Sequence, residues 1–194
     1  MRQINIQYYK TKIGELILGS FKGKLCLLDF RYRRMRKTVD NRIKAGLNSD
    51  FIKQDDEVLK RTRRQIYEYL DGDRKEFDIP VLMVGTDFQK SVWNALMKVP
   101  YGFTSTYSQL AKNINNKKAI RAVASANGAN AIGLIIPCHR IIGSNGELAG
   151  YGGGLPVKKR LLKLEQKNTV LNVGEQDDLI GKKEIRSDVE ILPM

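Results

Sequence analysis

The chain has 194 residues, 42% of them hydrophobic, which suits one large domain or two small ones around a real core. A formal charge of +13 points to a polyanionic partner, nucleic acid first. No apolar run approaches a membrane span, the opening Met1-Arg2-Gln3 does not read as a signal peptide, and two cysteines beside one histidine fit a reducing cytoplasm rather than a disulfide framework or a structural zinc site.

Residues 4–9 alternate as a half-buried strand does, and two further strands are predicted over 15–20 and 25–30. Turn signals at Ile13-Gly14 and Lys22-Gly23 join them into an antiparallel meander. Cys26 falls inside the third strand and reads as a small buried hydrophobe. The basic block Arg31, Arg33, Arg34, Arg36, Lys37 reads as a solvated loop. Over 56–71, Val58, Leu59, Ile66, Tyr67 and Leu70 recur near helical spacing, and Asp71-Gly72 ends that helix. Residues 77–85 read as an extended connector, and the boundary between a unit at 1–84 and one at 85–166 is placed there.

Thr86-Asp87 caps the next helix, whose apolar positions are Phe88, Val92, Trp93, Leu96 and Met97. A short helix over 105–113 and a second over 116–127, joined by a tight polar turn, form a helix-turn-helix pattern. Lys117, Lys118 and Arg121 crowd the start of the second helix, while Ala119, Ala122 and Ala126 repeat along it. Such a face either packs tightly on a neighbouring helix or lies in a nucleic-acid groove. Asn127-Gly128-Ala129-Asn130 breaks the helix and leads into an apolar strand, 132–136.

Pro137 ends that strand, so Cys138 and the chain's one histidine, His139, sit together with Arg140 where regular structure stops. Gly150-Tyr151-Gly152-Gly153-Gly154 follows, a loop whose backbone can approach a ligand closely. Thiol, imidazole, guanidinium and glycine loop make a candidate reactive pocket. Pro156 opens a helix in which Glu165 falls in the last turn, poorly placed for the helix dipole, and so either pairs with His139 or is solvated. Residues 167–194 read as a polar tail, disordered unless 188–193 forms a strand.

Ile136-Pro137-Cys138-His139-Arg140-Ile141 resembles the active-site motif of the O6-alkylguanine-DNA alkyltransferases, also called methylated-DNA–protein-cysteine methyltransferases. The resemblance spans roughly 8–165 and includes Lys12-Ile13-Gly14-Glu15-Leu16, Phe77-Asp78-Ile79-Pro80, Gly85-Thr86-Asp87-Phe88-Gln89 with Val92-Trp93, Thr106-Tyr107, Arg121-Ala122-Val123, Asn130, Gly150-Tyr151, Leu162 and Glu165. It implies an α+β fold: a small ribonuclease H-like antiparallel sheet with a helix, then a mostly helical, winged-helix-like unit. It also implies DNA repair by direct reversal, in which Cys138 takes the alkyl group of O6-alkylguanine (and of O4-alkylthymine in some cases) irreversibly, once per molecule, after the base has flipped out of the duplex. His139 and Glu165 would assist the thiolate, and Tyr107 would crowd the flipped nucleotide and protonate the departing guanine. Arg121 would fill the gap in the stack, Asn130 would tie the recognition helix to the cysteine segment, and Ala122, Ala126, Ile141, Tyr151 and Gly152 would contact DNA or the base.

The implied partner is double-stranded DNA with alkylated bases, entered from the minor groove by a cytoplasmic monomer, with no cofactor and no metal. The sequence departs from the family at Lys117, where proline is common, at Ala124, where glycine is common, and at Gly152, where some relatives carry serine. A non-catalytic alkyltransferase-like lesion binder lacks the acceptor cysteine, which is present here. A Cys-His hydrolase would need a separate histidine and leaves the basic helix-turn-helix unexplained, and nothing in the sequence marks the dimer interface or effector pocket of a transcription regulator.

Overall fold

The structure is a computed structural model that describes residues 3–181, with side chains described to residue 169. Strands β1 (Gln3–Thr11), β2 (Gly14–Phe21) and β3 (Lys24–Phe30) form the expected antiparallel meander, in the register Tyr8↔Ile17 and Leu18↔Leu28. Its second hairpin turns on Lys22 (φ 48°) and Gly23 (φ 74°). Two successive left-handed residues are what a two-residue turn needs to match the strand twist. Cys26 is buried as expected, and burial pushes its thiol up to about 12, too high to react at neutral pH.

The sheet has a fourth strand that the sequence did not announce. Helix α1 (Arg36–Leu47) carries the chain across to β4 (Asp50–Lys53), which pairs parallel to β1 and gives the order β3-β2-β1-β4. The basic block is therefore a solvated loop only in part, with Arg31 and Arg34 in the turn over 31–35 and Arg34 and Lys37 exposed. Arg36 and Lys37 open α1, and Arg33 is buried to 7% in an ion pair with Asp29. Only Val39 and Ile43 anchor α1, so its apolar signal is sparse beneath the charges.

Helix α2 (Glu57–Asp71) is capped by Asp56, which accepts from Leu59 N, and closed by Gly72 in the left-handed region. Its buried face carries Leu59, Thr62, Ile66, Tyr69 and Leu70, whereas Tyr67 is 60% exposed. At 100° per residue, 59, 62, 66, 69 and 70 share a face that 67 leaves. The connector then runs along the free edge of β3, with Leu25 N donating to Pro80 O and Leu82 N to Leu25 O, both at 2.8 Å. Further along that edge Leu28 N donates to Ala131 O at 2.8 Å and Gly133 N to Leu28 O at 2.7 Å. One exposed edge is thereby covered twice, and the second cover fixes the approach to Cys138 against the N-terminal sheet.

Helix α3 (Asp87–Met97) starts at a capping box between Thr86 and Gln89. It sets Trp93 in the core, 2% exposed, with its indole N–H donating to Ala126 O at 2.9 Å. Strand β5 (Ser105–Thr106) precedes α4 (Tyr107–Asn113), and α5 (Ile120–Gly128) completes the helix-turn-helix. Helix α5 starts four residues later than its charge pattern suggested, which leaves Lys117 and Lys118 in the turn before it.

The segment ahead of Cys138 is not a strand. Apart from one bridge to Leu28 at Ile132 it is a turn, with Leu134 at φ 67°. A single 3-10 turn, Cys138–Arg140, passes into β6 (Ile141–Ile142), paired parallel to β5. Helix α6 runs from Leu155 through Gly181, so Glu165 lies in mid-helix, and the segment expected to be a tail from 167 begins as helix. Residues 188–193 lie outside the described residues. One hydrophobic cluster joins Leu16, Leu18, Leu25 and Leu28 of the sheet to Val92, Trp93, Leu96, Val123, Ile136, Ile141 and Leu161. The cysteine turn is thus packed between both halves of the chain.

Candidate active site

The site begins with an asparagine that closes a loop on itself. Asn130 Nδ2 donates to Ile136 O at 2.8 Å and its Oδ1 accepts from Ile132 N at 2.9 Å, both buried. These two bonds satisfy backbone groups that the irregular turn leaves without sheet or helix partners, and they hold the turn that presents Cys138. The thiol is 8% exposed at the wall of a cleft of about 480 Å³. Around it stand Tyr107, Asn130, Tyr151 and Gly152, with Asp29, Phe30, Arg33 and Met35 from the N-terminal half. Burial raises the Cys138 pKa, only partly offset by its hydrogen bond to the Asn130 side chain, so the resting group is a thiol.

Behind the cysteine lies a fully buried polar cluster. Glu165 Oε1 accepts from Tyr69 OH at 2.6 Å, His139 Nε2 at 2.8 Å and Arg140 Nη2 at 3.0 Å; Oε2 accepts from Arg140 Nε at 2.9 Å and Gly102 N at 3.1 Å. Burial works against ionisation of Glu165, but the hydrogen bonds from His139 and Arg140, with the charge of Arg140 and of the ring once acid protonates it, overturn it and hold the carboxyl at about 2. Burial lowers the His139 pKa, with Glu165 pulling the other way, so the ring is neutral at neutral pH. A neutral ring beside an ionised carboxylate keeps its proton on Nε2 and its lone pair on Nδ1. Nδ1 is buried and has no hydrogen-bond partner among the described residues.

The opposite wall is set by the glycine loop. Tyr151 packs edge-on to His139 at 6.3 Å and to Phe30 at 5.6 Å between ring centroids. Gly153 is required where it stands, because a Cβ there would lie 2.5 Å from the Phe30 ring. Lys158, wholly buried, donates to Ile141 O and, at 2.6 Å, to Ala149 O, and so ties the strand after the cysteine turn to the start of the loop.

Two family models cover most of the chain: residues 4–83 match the ribonuclease-like domain of 6-O-methylguanine DNA methyltransferase, and residues 87–167 match its DNA binding domain. A methylated-DNA–protein-cysteine methyltransferase of Methanosarcina acetivorans is 53% identical over 157 residues, 81% of this chain and 95% of the relative. The chain belongs to the 6-O-methylguanine DNA methyltransferase family. A relative of the same name from Haemophilus influenzae is 38% identical over 168 residues, 86% of this chain and 88% of its own. The crystal structure of Mycobacterium tuberculosis OGT in complex with DNA superposes with a TM-score of 0.72 at 34% identity, over 84% of this chain and 94% of that one. The mixed α+β architecture is the family's.

Seen as a member of this family, the chain brings Cys138, Tyr107, Asn130, Tyr151 and Gly152 to one cleft, with His139 and Glu165 paired directly behind it. Arg121 and Ala122 stand exposed on the outer face of α5, outside the cleft lining. Ala126 (3% exposed) and Ile141 (0%) are packed in the core, so their side chains offer no contact surface to DNA or a base. The repeating alanines thus divide, with Ala126 under Trp93 and Ala122 facing out. The Arg140 guanidinium does not enter the cleft either, since it is spent on Glu165 and on Val99 O at 2.6 Å. Sequence reasoning missed Tyr69 and Lys158. Tyr69 was concealed by the choice of Tyr67 for the buried face, and strict 100° spacing from Leu59 and Ile66 finds it. No local signal marks a buried lysine whose partners are backbone carbonyls.

Among the described residues no group of three His, Cys, Asp or Glu side chains is placed to hold a metal ion, and no helix is long and apolar enough to cross a membrane.

Proposed function

We propose that Cys138 is the alkyl acceptor in the direct reversal of O6-alkylguanine in DNA. The observation that carries this reading is the arrangement at the cysteine turn: a cleft-wall thiol followed at once by a neutral histidine whose Nε2 is anchored on an ionised glutamate. His139 Nδ1 accepts the thiol proton through a bridging water, and the thiolate attacks the alkyl carbon in line with the C–O6 bond. The S–C bond forms as the C–O6 bond breaks, and the electron pair passes to the guanine. Tyr107, half-buried in the cleft with its pKa raised by burial, supplies the proton that makes the leaving base neutral guanine and is reprotonated from the imidazolium. The product is a thioether, no group among the described residues reopens it, and the protein acts once.

The alkyl carbon of a stacked base is out of reach of a recessed thiol, so the nucleotide must leave the duplex. In this reading residues 1–84 form the scaffold and 85–166 the DNA-binding and transferring unit. Helix α5 enters the minor groove with Ala122 against the backbone, and Arg121, exposed and cationic, fills the vacated place. The protein works as a cytoplasmic monomer. Incubation with a duplex carrying one O6-methylguanine is expected to add about 14 Da to the intact mass, on the Cys138 peptide and saturating at one per molecule. A lesion duplex that binds without any mass gain would mark a damage sensor instead.

A further inference from the structure

An α-helix ends with carbonyls that have no partner inside it and with the negative end of its dipole. At the end of α5 the three successive carbonyls of residues 128, 129 and 130 are all taken by arginines from the N-terminal half of the chain. Arg33 donates from Nη2 to Gly128 O at 2.5 Å and from Nη1 to Asn130 O at 3.0 Å, and Arg42 donates from Nη2 to Ala129 O at 2.7 Å. Both arginines are themselves held. Arg33 Nη1 lies 2.6 Å from Asp29 Oδ2, which also takes Arg36 Nη1 at 2.9 Å, and the Asp29 side chain is 5% exposed. The Arg42 guanidinium lies 5.3 Å over the ring of Trp93, whose indole N–H holds Ala126 O one turn earlier in α5. Asn130, gripped by its carbonyl, uses its side chain to fix residues 132 and 136 ahead of the cysteine.

We propose that Arg33 and Arg42 are positioning residues that cap α5 from the other half of the molecule and fix its angle to the turn bearing Cys138. This rests on the reading that α5 engages the duplex. A helix docked on DNA delivers an extruded base to the thiol only if the two keep register, and the clamp spans the joint between them, 128–130. A free O6-alkylguanine base needs the cleft alone. The clamp therefore matters for lesions in duplex DNA more than for the free base.

The test compares single-turnover transfer from an O6-methylguanine duplex and from free O6-benzylguanine, together with amide exchange across 125–130. Arg42 lies outside the cleft lining. Arg42→Met is expected to lose about fivefold on the duplex and less than about twofold on the free base, with Arg42→Lys recovering part of the loss because an ammonium reaches one carbonyl. Arg33→Met, which also alters the cleft wall, is expected to lose about tenfold on the duplex and clearly less on the free base. In both methionine variants the amides of 125–130 should exchange faster while the melting temperature of the rest stays close to the parent's. Equal losses on the two substrates, or unchanged exchange at 125–130, would overturn the clamp. Wild-type protein inert towards both substrates would instead overturn the transfer reading, and the exchange result would still decide the clamp.

Discussion

The two ring nitrogens of His139 face opposite kinds of environment. On the Nε2 side every oxygen of Glu165 is occupied, by Tyr69, Arg140 and Gly102 N as well as by the ring itself. Tyr151 OH and Asn127 Oδ1, at the cleft wall, and His139 Nδ1, on the ring that packs edge-on to Tyr151, are buried without hydrogen-bond partners among the described residues. A carboxylate with five donors is a fixed charge, and a fixed charge fixes the tautomer. Polar atoms left open around a thiol are capacity held for a substrate and its protons. Rigidity behind the histidine thus buys reactivity in front of it.

Removing the thiol breaks the open side outright: Cys138→Ala should show no alkylated protein by mass spectrometry while the lesion duplex still binds in a mobility-shift assay. Next in size is Glu165→Gln. It cancels the buried charge that faces Arg140 and His139, so transfer should fall about 100-fold in single-turnover kinetics and stability by about 3–5 kcal/mol in urea titrations. Tyr69→Phe removes one of three donors to Oε1 and leaves the charge in place. It should cost about 1 kcal/mol in the same titrations, with a loss of transfer below about tenfold.

Acidity separates the two sides further. The Glu165 carboxyl is depressed from 4.5 to about 2 in the folded protein, so its stabilisation is complete above about 4.5 and is lost as pH falls towards 2. The Glu165→Gln variant should lack that acid limb in a pH series of urea midpoints. On the cleft side the Cys138 pKa is raised and the His139 pKa lowered, so thiol and neutral ring coexist across the neutral range, and the transfer rate should stay level there and fall only where His139 is protonated, below neutrality.

Much of the open side could be read from the sequence, because its residues cluster: Pro137 stops regular structure, Cys138 and His139 adjoin, and glycines follow. The meander and α2 were equally legible, since alternation and a Gly72 stop are local signals. The buried cluster was not. Tyr69, Gly102, Arg140 and Glu165 come from four separate elements, and only the fold brings them to one carboxylate. Strand β4 was missed because Phe51 and Ile52 are too few to set a period, and α1 because its charges outnumber Val39 and Ile43. The expected end of α6 near residue 166 failed for the opposite reason: fading hydrophobicity does not stop a helix that has no glycine or proline to end it there.

Because His139 is the chain's one histidine, its side-chain nitrogens are resolved without ambiguity in a 15N NMR spectrum of the free protein. A neutral ring protonated at Nε2 and bare at Nδ1 across the neutral range is the expected result, with that pattern weakened in Glu165→Gln. A proton on Nδ1, or an imidazolium throughout, would leave no lone pair to take up the thiol proton and would contradict the division of labour on which the proposed reaction depends.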